Sequence, residues 1–372
     1  MRSATAPLYI GQLIRSSMEI KLPSEFIERD WERSVEGGPV RFAVIGLGWF
    51  GRDVAIPAIE KSKHCETTMV VSGGGEKAER VADENDVDHA LTYDDYADGK
   101  ALDAYDAVYV VTPNALHLPH VEAAAEFGKD VLCEKPLEAT VERAERCVGV
   151  CKEAGVELMT AYRMHTARSV RYVRDLVQDG AIGEPVHTRG AFSNNLVATG
   201  GKMDQWRLNP DLAGGGPLMD LGVYPLNTSR FVLDADPIAV QATMVEGPPE
   251  FDGLEEYCAF TMQFPEGPVA HCDTGYRVAA DNYFEVGGTH GRIRIDQPFA
   301  IDGDRRITVC AGGEEESVGV EEPSEMIEEF DYFATGVLTD MEIAPDGEHG
   351  LTDIRAMMST YESGNTGQRV EL

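Results

Sequence analysis

Six residues constrain this chain more than any others: Gly46-Leu47-Gly48-Trp49-Phe50-Gly51. They close the apolar run Val40-Arg41-Phe42-Ala43-Val44-Ile45, which reads as a buried strand. A helix is expected over 54–61, and Thr67-Thr68-Met69-Val70-Val71 reads as the next strand. A G-x-G-x-x-G between a strand and a helix is a backbone shaped for a pyrophosphate. Gly46 permits the tight turn, Gly48 lets the backbone approach a ligand, and Gly51 lets helix and strand pack closely. Leu47, Trp49 and Phe50 complete the loop, and the helix start behind it offers unpaired N–H groups to phosphates.

The alternation continues. Strands are expected over 66–72, 106–112, 131–133 and 156–161, with helices over 76–83, 118–127 and 140–154. Strand and helix in alternation imply a parallel sheet covered on both faces. After residue 165 a helix over 167–179 leads into strand-like runs at 186–193, 238–245, 257–264, 270–276, 282–286 and 292–295. Strands without intervening helices imply an antiparallel sheet. The first two of these runs are separated by a Gly-, Pro- and Trp-rich insert, 194–236, and helices over 324–337 and 351–363 close the chain. The fold class is therefore α/β: an N-terminal Rossmann domain, 39–163, and a C-terminal α+β domain, 164–372, with a large, mostly antiparallel open sheet. Residues 1–38 form a polar lead-in, in which Met18 is an alternative start and no signal-peptide pattern is read. Glu-rich runs at 255–256, 314–316 and 321–329 read as solvated faces, and 312–316 as a low-complexity tract.

The tip of the second strand selects the dinucleotide. An NAD site places Asp or Glu there to bond the ribose 2′-hydroxyl. This chain has Ser72-Gly73-Gly74-Gly75-Glu76-Lys77. Ser72 and the glycine backbone can donate to a phosphate, and Lys77 adds positive charge, so NADP is expected. Glu76 falls where a helix start favours a carboxylate.

Two further clusters carry chemistry. Cys133-Glu134-Lys135-Pro136 ends the fourth strand, at the carboxyl edge that faces a ligand crevice. Glu134 and Lys135 are read there as a cofactor clamp and a catalytic ammonium. Thr112-Pro113-Asn114 closes the third strand on the nicotinamide side, and His117 follows as either a ligand contact or a helix-start residue. The second cluster is Trp206-Arg207 with Gly214-Gly215-Gly216-Pro217-Leu218-Met219-Asp220-Leu221-Gly222-Val223-Tyr224, read as a flexible glycine approach to a helix. Asp220 and Tyr224 are four apart and share a helical face. An acid and a phenol together can hold and deprotonate a polyol.

The combination of Gly46-x-Gly48-x-x-Gly51, Glu134-Lys135-Pro136 and Gly-Gly-Gly-x-x-x-Asp220-x-Gly222-x-Tyr224 resembles the Gfo/Idh/MocA oxidoreductases. It is most similar to their branch of sugar dehydrogenases and glucose–fructose oxidoreductases, where Tyr162-Arg163-Met164-His165 and the Trp206-Arg207 block also have counterparts. The resemblance implies an aldose 1-dehydrogenase, with D-xylose the expected sugar of a pentose catabolism, passing hydride from C1 to NADP and leaving the lactone. It gives Lys135 to the nicotinamide ribose and substrate, Tyr224 the base, and Asp220 the orientation of the sugar. Arg163, Trp206 and Arg207 join the cofactor-binding set. A free phenol ionises near pH 10, and a neighbouring ammonium such as Lys135 favours the phenolate. His165 is the alternative base. Two other readings stay open: a glucose–fructose-type enzyme that retains NADP(H), and a non-catalytic NADP sensor. The resemblance also implies a homo-oligomer, dimer or tetramer, built on the open sheet.

Charge bounds the partners. Lys+Arg number 32 and Asp+Glu 65, a net charge of −33, and only 9 of the basic residues are Lys. Such a surface argues against nucleic acid and anionic membranes. Seven cysteines without Cys-x-x-Cys fit reduced thiols in the cytoplasm, and no metal site is read. No apolar run reaches a membrane span. An acid excess spread through a foldable chain suggests a protein working in molar salt, where the Debye length falls to about 3 Å. Accordingly, the melting temperature should drop in dilute buffer relative to molar KCl. Equal values in the two solutions would show that self-repulsion is not what salt relieves here.

Overall fold

The computed structural model describes residues 29–33, 35–196, 205–301, 303–339 and 341–372. The first sheet has six parallel strands: β1 Val40–Ile45, β2 Cys65–Ser72, β3 His89–Thr92, β4 Ala107–Val110, β5 Asp130–Glu134 and β6 Leu158–Ala161. Their order is β3-β2-β1-β4-β5-β6. The order reverses between β1 and β4, so the loops leaving those strands diverge and open a crevice at their carboxyl ends. Phe42, Val44, Ile45 and all of Ala107–Val110 are fully buried, as both-face covering demands. The covering helices are α1 Ile56–Ile59, α2 Gly75–Asn85, α3 Tyr93–Ala97, α4 His117–Glu126 and α5 Val141–Ala154. Thr140 caps α5 by accepting the Arg143 N–H.

The second sheet has nine strands: β7 Pro185–Asn195, β8 Ala239–Glu246, β9 Glu255–Gln263, β10 Val269–Gly275, β11 Arg277–Gly288, β12 Gly291–Asp296, β13 Arg305–Ala311, β14 Glu314–Val320 and β15 Val370–Glu371. The order is β14-β13-β12-β11-β7-β10-β9-β8-β15. Only the β7–β10 pair is parallel. Helices α6 Arg168–Gln178, α7 Pro210–Ala213, α8 Val223–Leu233, α9 Glu325–Leu338 and α10 Gly347–Thr366 complete the chain. α8 packs on β7 and α10 on β8, covering one face of this sheet.

Several elements depart from expectation. β3 and α3 escape the hydrophobic pattern because every residue of β3 is only partly buried. A capping box at Thr92 and Asp95 starts α3 instead. The helical turns after the glycine loop begin at Trp49, earlier than residue 54, and include a wide π turn over Gly51–Ala55. The supposed low-complexity tract is the β13–β14 turn and an edge strand, whose Glu314–Glu316 are exposed. The other two acidic runs are not simply solvated: Glu255, Glu325 and Glu329 are buried. The closing helices also return to the first sheet. Phe330 of α9 meets Phe42 at 5.4 Å and Tyr109 at 5.1 Å between ring centroids, both near edge-on. The lead-in, of which 1–28 lie outside the described residues, docks through Trp31. Its indole N–H donates to Glu328 at 2.9 Å and its ring lies under the Arg171 guanidinium at 4.4 Å.

Candidate active site

The glycine loop fits its assigned chemistry position by position. Gly46 has φ of 112°, and a Cβ there would sit 2.7 Å from the Val111 carbonyl oxygen. A Cβ on Gly51 would sit 2.2 Å from the Gly46 oxygen. At Gly48 it would meet nothing within 4 Å. The first and third glycines are demanded by the protein, whereas the second faces open space suited to a ligand. Leu47 is buried, and Trp49 is 59% exposed beside Phe50.

At the tip of β2 Ser72 is buried, and Gly73 and Gly74 are exposed ahead of α2. Burial, then the positive charges of Arg52 and Arg80, lowers the Lys77 ammonium from its ordinary value. Three cations therefore lie near a strand tip that carries no acid. Arg52, which follows Gly51 directly, was missed from the sequence. Its guanidinium is held by Asp53, with Nε donating at 2.8 Å.

Thr112 and Asn114 are buried at the crevice edge behind Pro113. Asn114 Nδ2 donates to the Ala213 carbonyl at 2.8 Å, tying this loop to the second sheet's helices. His117 is fully buried, its ring nitrogens 3.1 Å from the Leu137 oxygen and 2.9 Å from the Thr112 oxygen. It joins two crevice loops by their backbones, which corrects the ligand-contact reading.

Glu134 and Lys135 do not pair through their side chains. The Tyr109 hydroxyl donates to Glu134 Oε1 at 2.5 Å, and the Lys135 backbone N–H donates to Oε2 at 3.1 Å. The peptide bond between Lys135 and Pro136 is cis. The Lys135 ammonium crosses the crevice instead, donating to the Asp220 carbonyl at 2.8 Å and lying 3.7 Å from its Oδ1.

Asp220 lies on a wide turn, Leu218–Gly222, that runs into α8. The three glycines before it are close-packed rather than flexible. Cβ atoms would sit 2.6 Å from the Ala139 side chain at Gly214, 2.1 Å from the Tyr361 hydroxyl at Gly215, and 2.7 Å from the Glu255 carbonyl at Gly216. Buried Glu255 caps this turn, accepting the N–H groups of Gly216 and Leu218 at 3.1 Å each and the Tyr361 hydroxyl at 2.8 Å. Asp220 Oδ2 accepts Arg207 Nε and the Tyr276 hydroxyl, both at 3.0 Å. Burial opposes its charge, but Arg207, Lys135 and these hydrogen bonds prevail and hold its carboxyl below the usual value. The Arg207 guanidinium stacks on Trp206 at 4.6 Å. The structure thus assigns Arg207 to Asp220. Tyr276 is a site residue that no motif signalled. Residues 197–204 of the insert lie outside the described residues.

Tyr224 completes the cluster. The Lys135 ammonium stands 4.7 Å from its ring centroid, so one cation touches both the acid and the phenol. The cation at the phenolic oxygen is a different one: Arg163 Nε donates to it at 3.3 Å. Arg163 is buried, and its other donors reach the Phe299 carbonyl at 2.7 Å, the Ala300 carbonyl at 3.3 Å and Glu325 at 3.4 Å. Arg163 thus meets the phenolic oxygen, while Lys135 meets the ring. His165 is buried in another network, 2.9 Å from Asn227 and stacked on Phe231 at 4.0 Å. Burial pushes it well below its ordinary value, and its Nε2 is engaged by Asn227 rather than by the Asp220–Tyr224 cluster.

The sequence matches two family models: the oxidoreductase family with an NAD-binding Rossmann fold over residues 40–162, and the GFO/IDH/MocA C-terminal domain over 170–294. This chain belongs to the GFO/IDH/MocA oxidoreductases. It is 48% identical to D-xylose 1-dehydrogenase (NADP(+)) of Haloarcula marismortui, across 94% of this chain and 98% of that protein. It is 31% identical to D-xylose 1-dehydrogenase (NADP(+)) 2 of Haloferax volcanii, across 89% and 99%. Among solved structures it resembles the aldose-aldose oxidoreductase of Caulobacter crescentus, crystallised with glycerol, with a TM-score of 0.84 and 31% identity over 90% of this chain and 99% of that one.

Asp220 is the charge that Lys135 and Arg207 share. Asp220→Asn should therefore lower stability by about 1–3 kcal/mol, the usual penalty for stranding a buried partner. Chemical denaturation in the same salt as wild type measures it, and an unchanged midpoint would remove Asp220 from its central place.

Proposed function

We propose that this GFO/IDH/MocA enzyme oxidises an aldose, D-xylose foremost, at C1 with NADP⁺ and yields the aldonolactone. The observation that carries the reading is the convergence of Lys135, Asp220 and Tyr224 beside a glycine loop whose neighbouring strand tip bears Ser72 and cations but no acid. The two haloarchaeal relatives support the same sugar and cofactor through their names.

The residues present fit NADP. The loop Gly46–Gly51 would take the pyrophosphate. Ser72, the Gly73 backbone, Lys77 and Arg52 would take the 2′-phosphate. Thr112, Pro113, Asn114 and Glu134 would hold the nicotinamide end, with Lys135 at its ribose. When bound, NADP⁺ supplies a hydride acceptor. Everything else is done by side chains. Asp220, kept ionised, accepts sugar hydroxyl protons and sets the ring's orientation. Tyr224, acting as its phenolate, takes the anomeric hydroxyl proton and becomes the neutral phenol as the C1–H bond gives up its electron pair, so no charged sugar builds up in a dry pocket. Arg163 and Lys135 lie beside the phenolate and favour its charge.

A second reading is oxidation of one aldose coupled to reduction of another on retained NADP(H); its aldose-to-aldose part is supported by the likeness to the Caulobacter aldose-aldose oxidoreductase. NADPH accumulating with a single sugar separates the two. A non-catalytic sensor finds no support, since it would have no use for a base and an ammonium side by side. We also propose a homo-oligomer. The outer face of the second sheet carries Arg189, Tyr257, His271 and Tyr283 around a shallow cavity, and Val186 and Val245 stand about half exposed, at 50% and 46%. A second copy would cover such a face. Sedimentation in molar salt should show a species heavier than the 40.6 kDa chain, and a lone monomer would refute this. Among the described residues no helix is long and apolar enough to cross a membrane, and we place the enzyme in the cytoplasm.

Tyr224→Phe should lower kcat by about 10²–10⁴, the range of general-base catalysis, with NADP⁺ binding nearly unchanged. Near-normal turnover across the pH range would overturn the assignment. Ser72→Asp should raise the KM for NADP⁺ and shift preference toward NAD⁺, because a carboxylate repels the 2′-phosphate. Equal use of both cofactors by wild type would refute the reading of this turn.

A further inference from the structure

Helix α9 carries one acid that the proposed chemistry leaves unused. Glu329 is fully buried, and neither carboxyl oxygen has a hydrogen-bond partner among the described residues. α9 packs against the Arg163 turn, and the next residue, Phe330, packs on Tyr109. The groups facing Glu329 are Glu134 at the end of β5, Arg163 on the turn after β6, Glu325 one turn earlier on α9, and Tyr109 on β4. Arg305 of β13 stands behind Glu325, bonded to it at 2.7 Å.

Arg163 is loosely held. Only its bond to Phe299 is short, at 2.7 Å, while those to Tyr224, Ala300 and Glu325 span 3.3–3.4 Å. Glu325 lies closer to Arg305 than to Arg163. The Arg163 charge lies near Glu329, yet no charge-assisted pair, roughly twice as strong as a neutral hydrogen bond, joins them. Neither Arg163 nor any other described cation pairs with Glu329, and a carboxyl buried this fully without a partner is favoured in its uncharged form. Burial, followed by the nearby Glu134 charge, raises this acid well above the usual carboxylate range, with Arg163 acting against them.

We propose that Glu329 is a positioning residue: uncharged, it leaves Arg163 on the Tyr224 oxygen, and on ionising it draws Arg163 away and slows turnover. This rests on Tyr224 being the base. The pH dependence has two independent signs. In the folded state the neutral acid is favoured, whereas in the unfolded chain the group ionises near its ordinary value. Stability is therefore lost as pH rises from the unfolded value toward the folded one. Turnover is lost as pH passes the folded value.

The test compares wild type with Glu329→Gln, which is isosteric and stays neutral, and with Glu329→Met, of similar volume. The ratio of variant to wild-type kcat should climb with pH, approaching about tenfold per pH unit once Glu329 has ionised, the slope of a single proton. The variants' melting temperature should exceed that of wild type by a margin that widens with pH. Infrared spectra of wild type should show a protonated-carboxyl band that fades at the same pH and is missing from both variants. A kcat ratio flat across the alkaline range, with normally folded variants, overturns the proposal. A protonated-carboxyl band unchanged in both variants also overturns it. If Tyr224→Phe turns over normally, the base assignment fails. The infrared and thermal results then still report the charge of Glu329, so the two failures are told apart.

Discussion

The ammonium of Lys135 is the contact on which the site depends. It leaves the tip of β5 in the first sheet and ends on Asp220, in the turn that opens α8 beneath the second sheet. One flexible side chain thus spans the crevice between the strand ends that frame a dinucleotide and the helix that bears the acid and the phenol. Its charge is compensated by Asp220, and Asp220 is compensated in turn by Arg207 and Tyr276. The carboxylate is therefore ionised despite burial. Losing Asp220 would leave the Lys135 and Arg207 charges without their shared partner in a largely enclosed crevice.

Around that contact the chain divides its acids into two kinds. Most lie outside, as a net charge of −33 requires. A few are enclosed, each with a different local arrangement. Glu255 caps the glycine turn. Glu325 joins Arg163 to Arg305, both deeply buried. Glu138 joins Arg143 at 2.7 Å and accepts the Leu118 N–H. These enclosed acids hold the backbone of the loops that carry the chemistry, so their positions decide the aim of Tyr224 and Lys135 as much as the chemical groups themselves do.

The parallel sheet was legible because its strands are buried on both faces and its glycine loop has one steric solution. Gly46 and Gly51 are required by backbone contacts that any sequence of this pattern must make. The carboxyl-edge position of Glu134-Lys135 followed from the strand it ends. β3 was illegible because a half-buried edge strand has no apolar signature. The edge pair β13–β14 was passed over because Glu314–Glu316 face water on a strand that is paired on one side only.

What the amino-acid sequence determined by itself was the local set: a dinucleotide loop, a strand tip without an acid, a Glu-Lys at a carboxyl edge, and an acid and phenol one helical turn apart. Each follows from short-range sterics and spacing. Which partners those groups take was decided only in three dimensions. Lys135 passes over its neighbour Glu134 to reach Asp220, 85 residues away. Arg163, not Lys135, meets the phenolic oxygen. His117 and His165 turn inward, Tyr276 arrives from the end of β10, and α9 returns from the far end of the chain to set Glu325 and Glu329 behind the site. Charge pairing at 3 Å depends on which surfaces pack together, and hydrophobic burial across both sheets decides that packing.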